Sequence, residues 1–142
     1  MQKVHCDLVG PFVASRCGYK CILTVICAFT RYLITVPIRD KTSLTVAKAL
    51  IYHVYLVHGP PEILVHVLGG EFWSAVMTDL AKLLEIQVSK ISSHRPQSNG
   101  VCERIHATMH FVFAKVVANN QRNWCDLTPY VTYAYNLSLI HI

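Results

Sequence analysis

Two apolar, β-branched runs, Lys20–Phe29 and Arg31–Ile38, follow one another with only Thr30 between them. A link this short cannot hold the crossover of a dozen or more residues that parallel strands need, so the two runs predict an antiparallel pair. Upstream, Val4–Val9 is a third run of the same kind, closed by Gly10-Pro11 and followed by a loop carrying Ser15, Arg16 and Gly18. Together they predict a three-stranded antiparallel meander.

The period then changes. From Ser43 to His58 the apolar residues Leu44, Ala47, Leu50, Ile51, Val54 and Val57 recur at helical spacing, with Asp40 or Thr42 as the cap and Gly59-Pro60-Pro61 as the stop. Ile63–Val67 is a short continuous apolar run of the kind that forms a buried strand, broken by Gly69-Gly70. A helix over Phe72–Leu84 would carry Val76, Leu80, Leu83 and Leu84 on one face, and Ile86–Ile91 reads as a last strand. Ser92–Asn99 has no apolar side chain and reads as a loop. Two helices follow, Gly100–Asn119 and Asn123–Asn136, the second with Trp124, Leu127, Val131 and Ala134 inward and Pro129 near its first turn. This order implies an α/β chain with a mixed five-stranded sheet flanked by helices on both faces, and a ribonuclease H-like topology fits it.

Composition narrows the functional classes. At 142 residues, 53% of them hydrophobic and 15% charged, the chain forms one domain with a sheet covered on both faces. No apolar run approaches the ~18 residues of a membrane span, and the first residues, Met1-Gln2-Lys3-Val4-His5, lack the apolar stretch of a signal peptide. A nuclear or cytoplasmic, reducing compartment is expected, with the six cysteines as thiols, several within apolar runs. Cys17 and Cys21, and His106 and His110, each have spacing a zinc site uses, but the pairs lie too far apart in sequence for one finger. Trp73 and Trp124 read as core or interface residues. A net charge of +5 favours contact with a polyanion.

Only eight acidic residues are present. Asp7 lies mid-strand between Cys6 and Leu8, where a carboxylate is costly unless a cation or hydrogen bonds compensate it. Glu103 falls in the expected first turn of a helix, behind a polar loop. Hard oxygen ligands converging from different elements are what two-metal phosphoryl transfer on nucleic acids requires. Taken singly, each has a plain alternative: an acid at a strand edge, and a favourable charge at a helix start.

Four runs, His5-Cys6-Asp7-Leu8-Val9-Gly10-Pro11, Ala28-Phe29-Thr30-Arg31-Tyr32, Gly69-Gly70-Glu71-Phe72 and His94-Arg95-Pro96-Gln97-Ser98-Asn99-Gly100, closely resemble the integrase catalytic core of Ty3/gypsy-type retrotransposons. The likeness extends from Lys3 to Asn136. It implies a ribonuclease H-like core that binds Mg²⁺ or Mn²⁺ through an Asp-Asp-Glu triad, trims the ends of the element's DNA and joins them to target DNA. Asp7 matches the first aspartate and Glu103 the glutamate, so these two are the expected catalytic and metal-binding residues. The middle aspartate falls at Val67, within His66-Val67-Leu68-Gly69-Gly70. Cys27 also departs from the family, which usually has an aspartate there.

An isopropyl group can neither ligate a cation nor neutralise it, so metal binding and cleavage are expected to be impaired in a chain that still folds. His94, Arg95, Asn99, Arg104 and Lys90 are the expected DNA contacts, and His106 and His110, on succeeding turns, are placed on the same DNA-facing side. The partners implied are DNA and a second copy of the chain, with no membrane and no small-molecule substrate. Residues 3–136 form the expected core. The apolar tail 137–142 departs from the family's polar continuation, and the expectation is a fragment of a longer polyprotein. Two other readings stay open: a host-retained module that binds DNA or protein without catalysis, and an active nuclease in which Glu71 or another group replaces the missing ligand.

Overall fold

A computed structural model describes residues 1–66, 75–90 and 96–140, with backbone alone at 90, 96–99 and 139–140. The meander is present as β1 (Lys3–Val9), β2 (Cys21–Cys27) and β3 (Leu33–Ile38). Both pairings are antiparallel, with Asp7 opposite Thr24 and Thr24 opposite Thr35. The chain continues through α1 (Ser43–Leu50), a π-helical segment (Ile51–Tyr55) and α2 (Leu56–His58) to β4 (Ile63–His66), then α3 (Ala75–Leu83) and β5 (Gln87–Lys90). Two long helices, α4 (Pro96–Asn119) and α5 (Trp124–Ile140), complete it. The sheet order is β3-β2-β1-β4-β5, and β4 runs parallel to both β1 and β5. The mixed five-stranded sheet is the one expected.

Strand alternation sorts the core into two layers. Val4, Cys6 and Leu8 of β1 join Leu23 and Val25 of β2 beneath α1 and α3, with Val46, Leu50, Val54 and Met77. Val9, Ile22 and Ile26 face the other way and pack against Cys102, Met109, Phe113 and Val117 of α4 and Trp124 of α5. With helices on both faces, β2 is buried along its whole length.

Several faces differ from expectation. Leu44 and Val57 are exposed, and Val46 and Ala49 are buried in their place. On α3 the buried residues are Met77 and Ala81, while Val76 and Leu83 face solvent. Each helix carries apolar residues on more than one side, Leu44 beside Val46 in α1 and Val76 beside Met77 in α3, so helical spacing alone did not choose the inward arc. Thr42 is the N-cap of α1, its hydroxyl accepting from the Thr45 N–H, and Asp40 in turn accepts from the Thr42 N–H at 2.9 Å. Five of the six cysteines are buried and Cys17 is exposed.

The long helices also exceed their expected bounds. α4 begins at Pro96 rather than Gly100, because proline suits a first helical turn and the polar residues after it join the helix. α5 continues past Asn136 to Ile140.

Candidate functional site

The site forms where β1 meets α4. Alternation along β1 turns His5, Asp7 and Val9 toward α4, and helical spacing turns Cys102, His106, Met109, Phe113 and Val117 back onto the sheet. Asp7, with a side chain only 15% exposed, is held at both carboxylate oxygens: Oδ2 lies 2.8 Å from His110 Nε2, and Oδ1 accepts the Leu8 N–H at 2.8 Å. One turn earlier, His106 Nδ1 lies 3.0 Å from the Thr24 hydroxyl, which also lies 3.3 Å from the Asp7 carbonyl. If the Thr24 O–H donates to that carbonyl, His106 must be protonated on Nδ1. Among the described residues, both ring nitrogens of His5 and Nε2 of His106 find no hydrogen-bond partner.

Burial sets the electrostatics of this layer. Desolvation lowers His106 to about 4; the nearby Asp7 carboxylate works against that shift and His110 adds to it. His5 is likewise held at about 4, first by burial and then by Lys3, His106 and Arg31. Both imidazoles are therefore neutral at physiological pH. Burial, reinforced by Asp7, pushes the Cys6 thiol up to about 12, so no thiolate adjoins the carboxylate.

Of the expected site residues, Asp7 stands on β1 on the face turned to α4. Glu103 is exposed, and it lies beyond the first turn of α4, which contains no acid. The helix-terminus reading of Glu103 fails for that reason, since dipole effects fade within the first turn. The α4 side chain that meets Asp7 is His110, seven positions further on, or about 10 Å along the axis. His106 is 3% exposed and bonded to Thr24, so it does not face outward as expected. Arg104 is exposed.

Val67, Glu71, His94 and Arg95 lie outside the described residues, as do the side chains of Lys90 and Asn99. The last described residue of β4, His66, pairs with Cys6, the residue before Asp7. Among the described residues no three His, Cys, Asp or Glu side chains are placed to hold a metal ion. Asp7 is already engaged through both oxygens, and the described donor set does not fit a two-metal centre. The Asp7–His110 and Thr24–His106 pairs were missed in sequence; the signal was the i, i+4 spacing of the two histidines opposite the alternating His5 and Asp7.

No protein-family model matches the chain. It is 32% identical over 142 residues to a retrovirus-related Pol polyprotein from transposon 412 of Drosophila melanogaster, covering 99% of this chain and 12% of that protein. It is 27% identical over 135 residues to gypsy retrotransposon integrase-like protein 1 of Macaca fascicularis, covering 95% of this chain and 26% of that one. The chain is a relative of the integrase catalytic cores of Ty3/gypsy-type retroelements. It spans only a fraction of the length of these curated relatives. The catalytic core domain of BIV integrase superposes with a TM-score of 0.63 at 20% identity, over 83% of this chain and 72% of that one. The integrase-core sheet order, with helices on both faces, is thus shared at a sequence identity that fixes fold alone.

Proposed function

We propose that this chain is the core domain of a retroelement integrase that binds DNA and has lost strand transfer through Val67. The observation that supports it best is the placement of Asp7: a carboxylate on a strand with strands on both sides, facing α4, in a domain with the integrase-core fold. In this reading Asp7 and Glu103 are the remaining catalytic and metal-binding residues. Mg²⁺ or Mn²⁺ would supply charge neutralisation at the reacting phosphate, but the third carboxylate is missing and His110 occupies Asp7.

His94, Arg95, Asn99, Arg104 and Lys90 are the proposed DNA contacts, and Arg104 is exposed as that role requires. The domain acts with element ends and target DNA and as a homo-oligomer, both parts implied by the resemblance. Among the described residues no helix is long and apolar enough to cross a membrane.

A metal-dependent strand-transfer assay on this chain and its Val67→Asp variant, supplied with flanking integrase domains, tests the proposal. The wild type is expected to be inactive and the variant to regain transfer. Activity in the wild type that is lost on Asp7→Ala refutes the catalytic defect. An inactive variant that still binds DNA tightly favours a host-retained binding module instead.

A further inference from the structure

The loop between β1 and β2 is more firmly built than an exposed connection needs to be. The Phe12 N–H donates to the Lys20 carbonyl at 2.7 Å, the Ser15 N–H to the Tyr19 carbonyl at 2.9 Å, and the Lys20 N–H to the Ile38 carbonyl at 3.0 Å. Gly10, at φ +116°, lets the loop start there, since a Cβ would stand 2.9 Å from the Lys20 carbonyl oxygen. From α5, the Trp124 indole donates to the Val13 carbonyl at 3.0 Å while its ring meets Phe12 edge-on at 5.7 Å. The Arg16 N–H reaches the Arg122 carbonyl at 2.7 Å, tying the loop to the α4–α5 turn.

What this frame presents is cationic. Arg16, Lys20, Arg39, Lys41 and Arg122 are all exposed along it. The Arg39 guanidinium lies 6.0 Å over the Tyr19 ring, and Arg16 is held 2.6 Å from Asp126. The nearby acids are Asp126, engaged with Arg16, and Asp40, whose carboxylate is taken up by Thr42. Exposed Gln121 and Asn123 in the adjoining turn add neutral donors. Cations carried on three connections whose backbones hydrogen-bond to one another or to the adjoining strand, interspersed with amides, suit a row of phosphates.

We propose that this edge is a second nucleic-acid surface, made by Arg16, Lys20, Arg39, Lys41 and Arg122, that grips the phosphate backbone of duplex DNA without reading its sequence. It lies at the far end of α4 from Arg104, with about 24 Å of helix between Glu103 and Asn119. It rests on the reading that the chain binds DNA, and adds a place where the expected contacts have none.

The test is fluorescence anisotropy of a labelled duplex of arbitrary sequence across a salt series, using the full chain. Three variants are compared: Arg39→Glu/Arg122→Glu at the edge, Lys48→Glu/Lys82→Glu on α1 and α3 with the same charge change, and Arg104→Glu. The edge pair is expected to bind at least tenfold more weakly at moderate salt and to reduce the slope of log affinity against log salt by roughly 2. The α1/α3 pair should change the slope little. Thermal melts confirm folding, and Arg39→Gln/Arg122→Gln repeats the comparison if the reversed charges unfold the domain. If the edge pair loses no more than the α1/α3 pair, the surface is refuted. Should Arg104→Glu alone weaken binding, the functional reading stands and this inference falls. A wild type that binds no duplex at low salt removes both.

Discussion

His5 and His106 are where single residues decide the most. Each is almost fully buried, 1% and 3% exposed, and each is held near pKa 4 in the fold against 6.5 when free. A folded-state pKa below the unfolded one means that the unfolded chain binds protons first as pH falls. Stability is therefore unaffected by these residues above pH 6.5 and is lost between 6.5 and 4, by an amount on the order of 3 kcal/mol for each if they titrated alone. They do not titrate alone, since each charge disfavours the other; Lys3 and Arg31 also bear on His5, and Asp7 and His110 on His106. The expected outcome is a melting temperature flat from pH 8 to 7 that falls steeply below 6.5. His106→Gln should flatten that fall, and a wild-type profile unchanged down to pH 5 contradicts it.

Among elements, the junction of α5 with the β1–β2 loop carries a prediction of its own. Trp124 is fully buried, packs edge-on against Phe12 and donates to the Val13 carbonyl. Trp124→Ala should cost about 3–5 kcal/mol. Trp124→Phe, which keeps a ring but leaves that carbonyl without its donor, should cost about 1–3 kcal/mol. Urea denaturation of both checks this, and an alanine variant within 1 kcal/mol of wild type would show that the junction holds nothing. The inward place of Trp124 was legible in sequence because the spacing of Trp124, Leu127, Val131 and Ala134 marks one face, although Ala134 at its far end is exposed. So were all five strands, whose runs are punctuated by Gly59-Pro60-Pro61 and similar stops. The start of α4 was hidden because Ser92–Asn99 has no apolar residue to show a period, and this displaced Glu103 from its expected first turn. The partner of Asp7 was harder to see: His110 lies 103 positions away, and the i, i+4 spacing of His106 and His110 marks one helix face without saying which strand that face packs on.

At the scale of the whole molecule, the question is whether this fold still needs a cation. A lone carboxylate beneath a helix is costly, and in the proposed integrase reading a metal would offset that cost; here His110 stands against Asp7 at 2.8 Å. In the proposed triad the middle position is Val67, which brings no second negative charge. The domain should then be indifferent to divalent ions: adding Mn²⁺ should leave its melting temperature unchanged. Val67→Asp reverses both terms. Without metal, the new carboxylate repels Asp7 and should lower the melting temperature. With Mn²⁺ at a hundredfold excess over its dissociation constant, binding to the folded state alone adds about 2.7 kcal/mol, a rise of several degrees. Differential scanning calorimetry of both proteins with and without Mn²⁺ measures this directly, independent of any activity. A wild-type melting temperature that climbs with Mn²⁺ as the variant's does would mean that Asp7 exchanges His110 for a cation, and that Val67 has not closed the metal site.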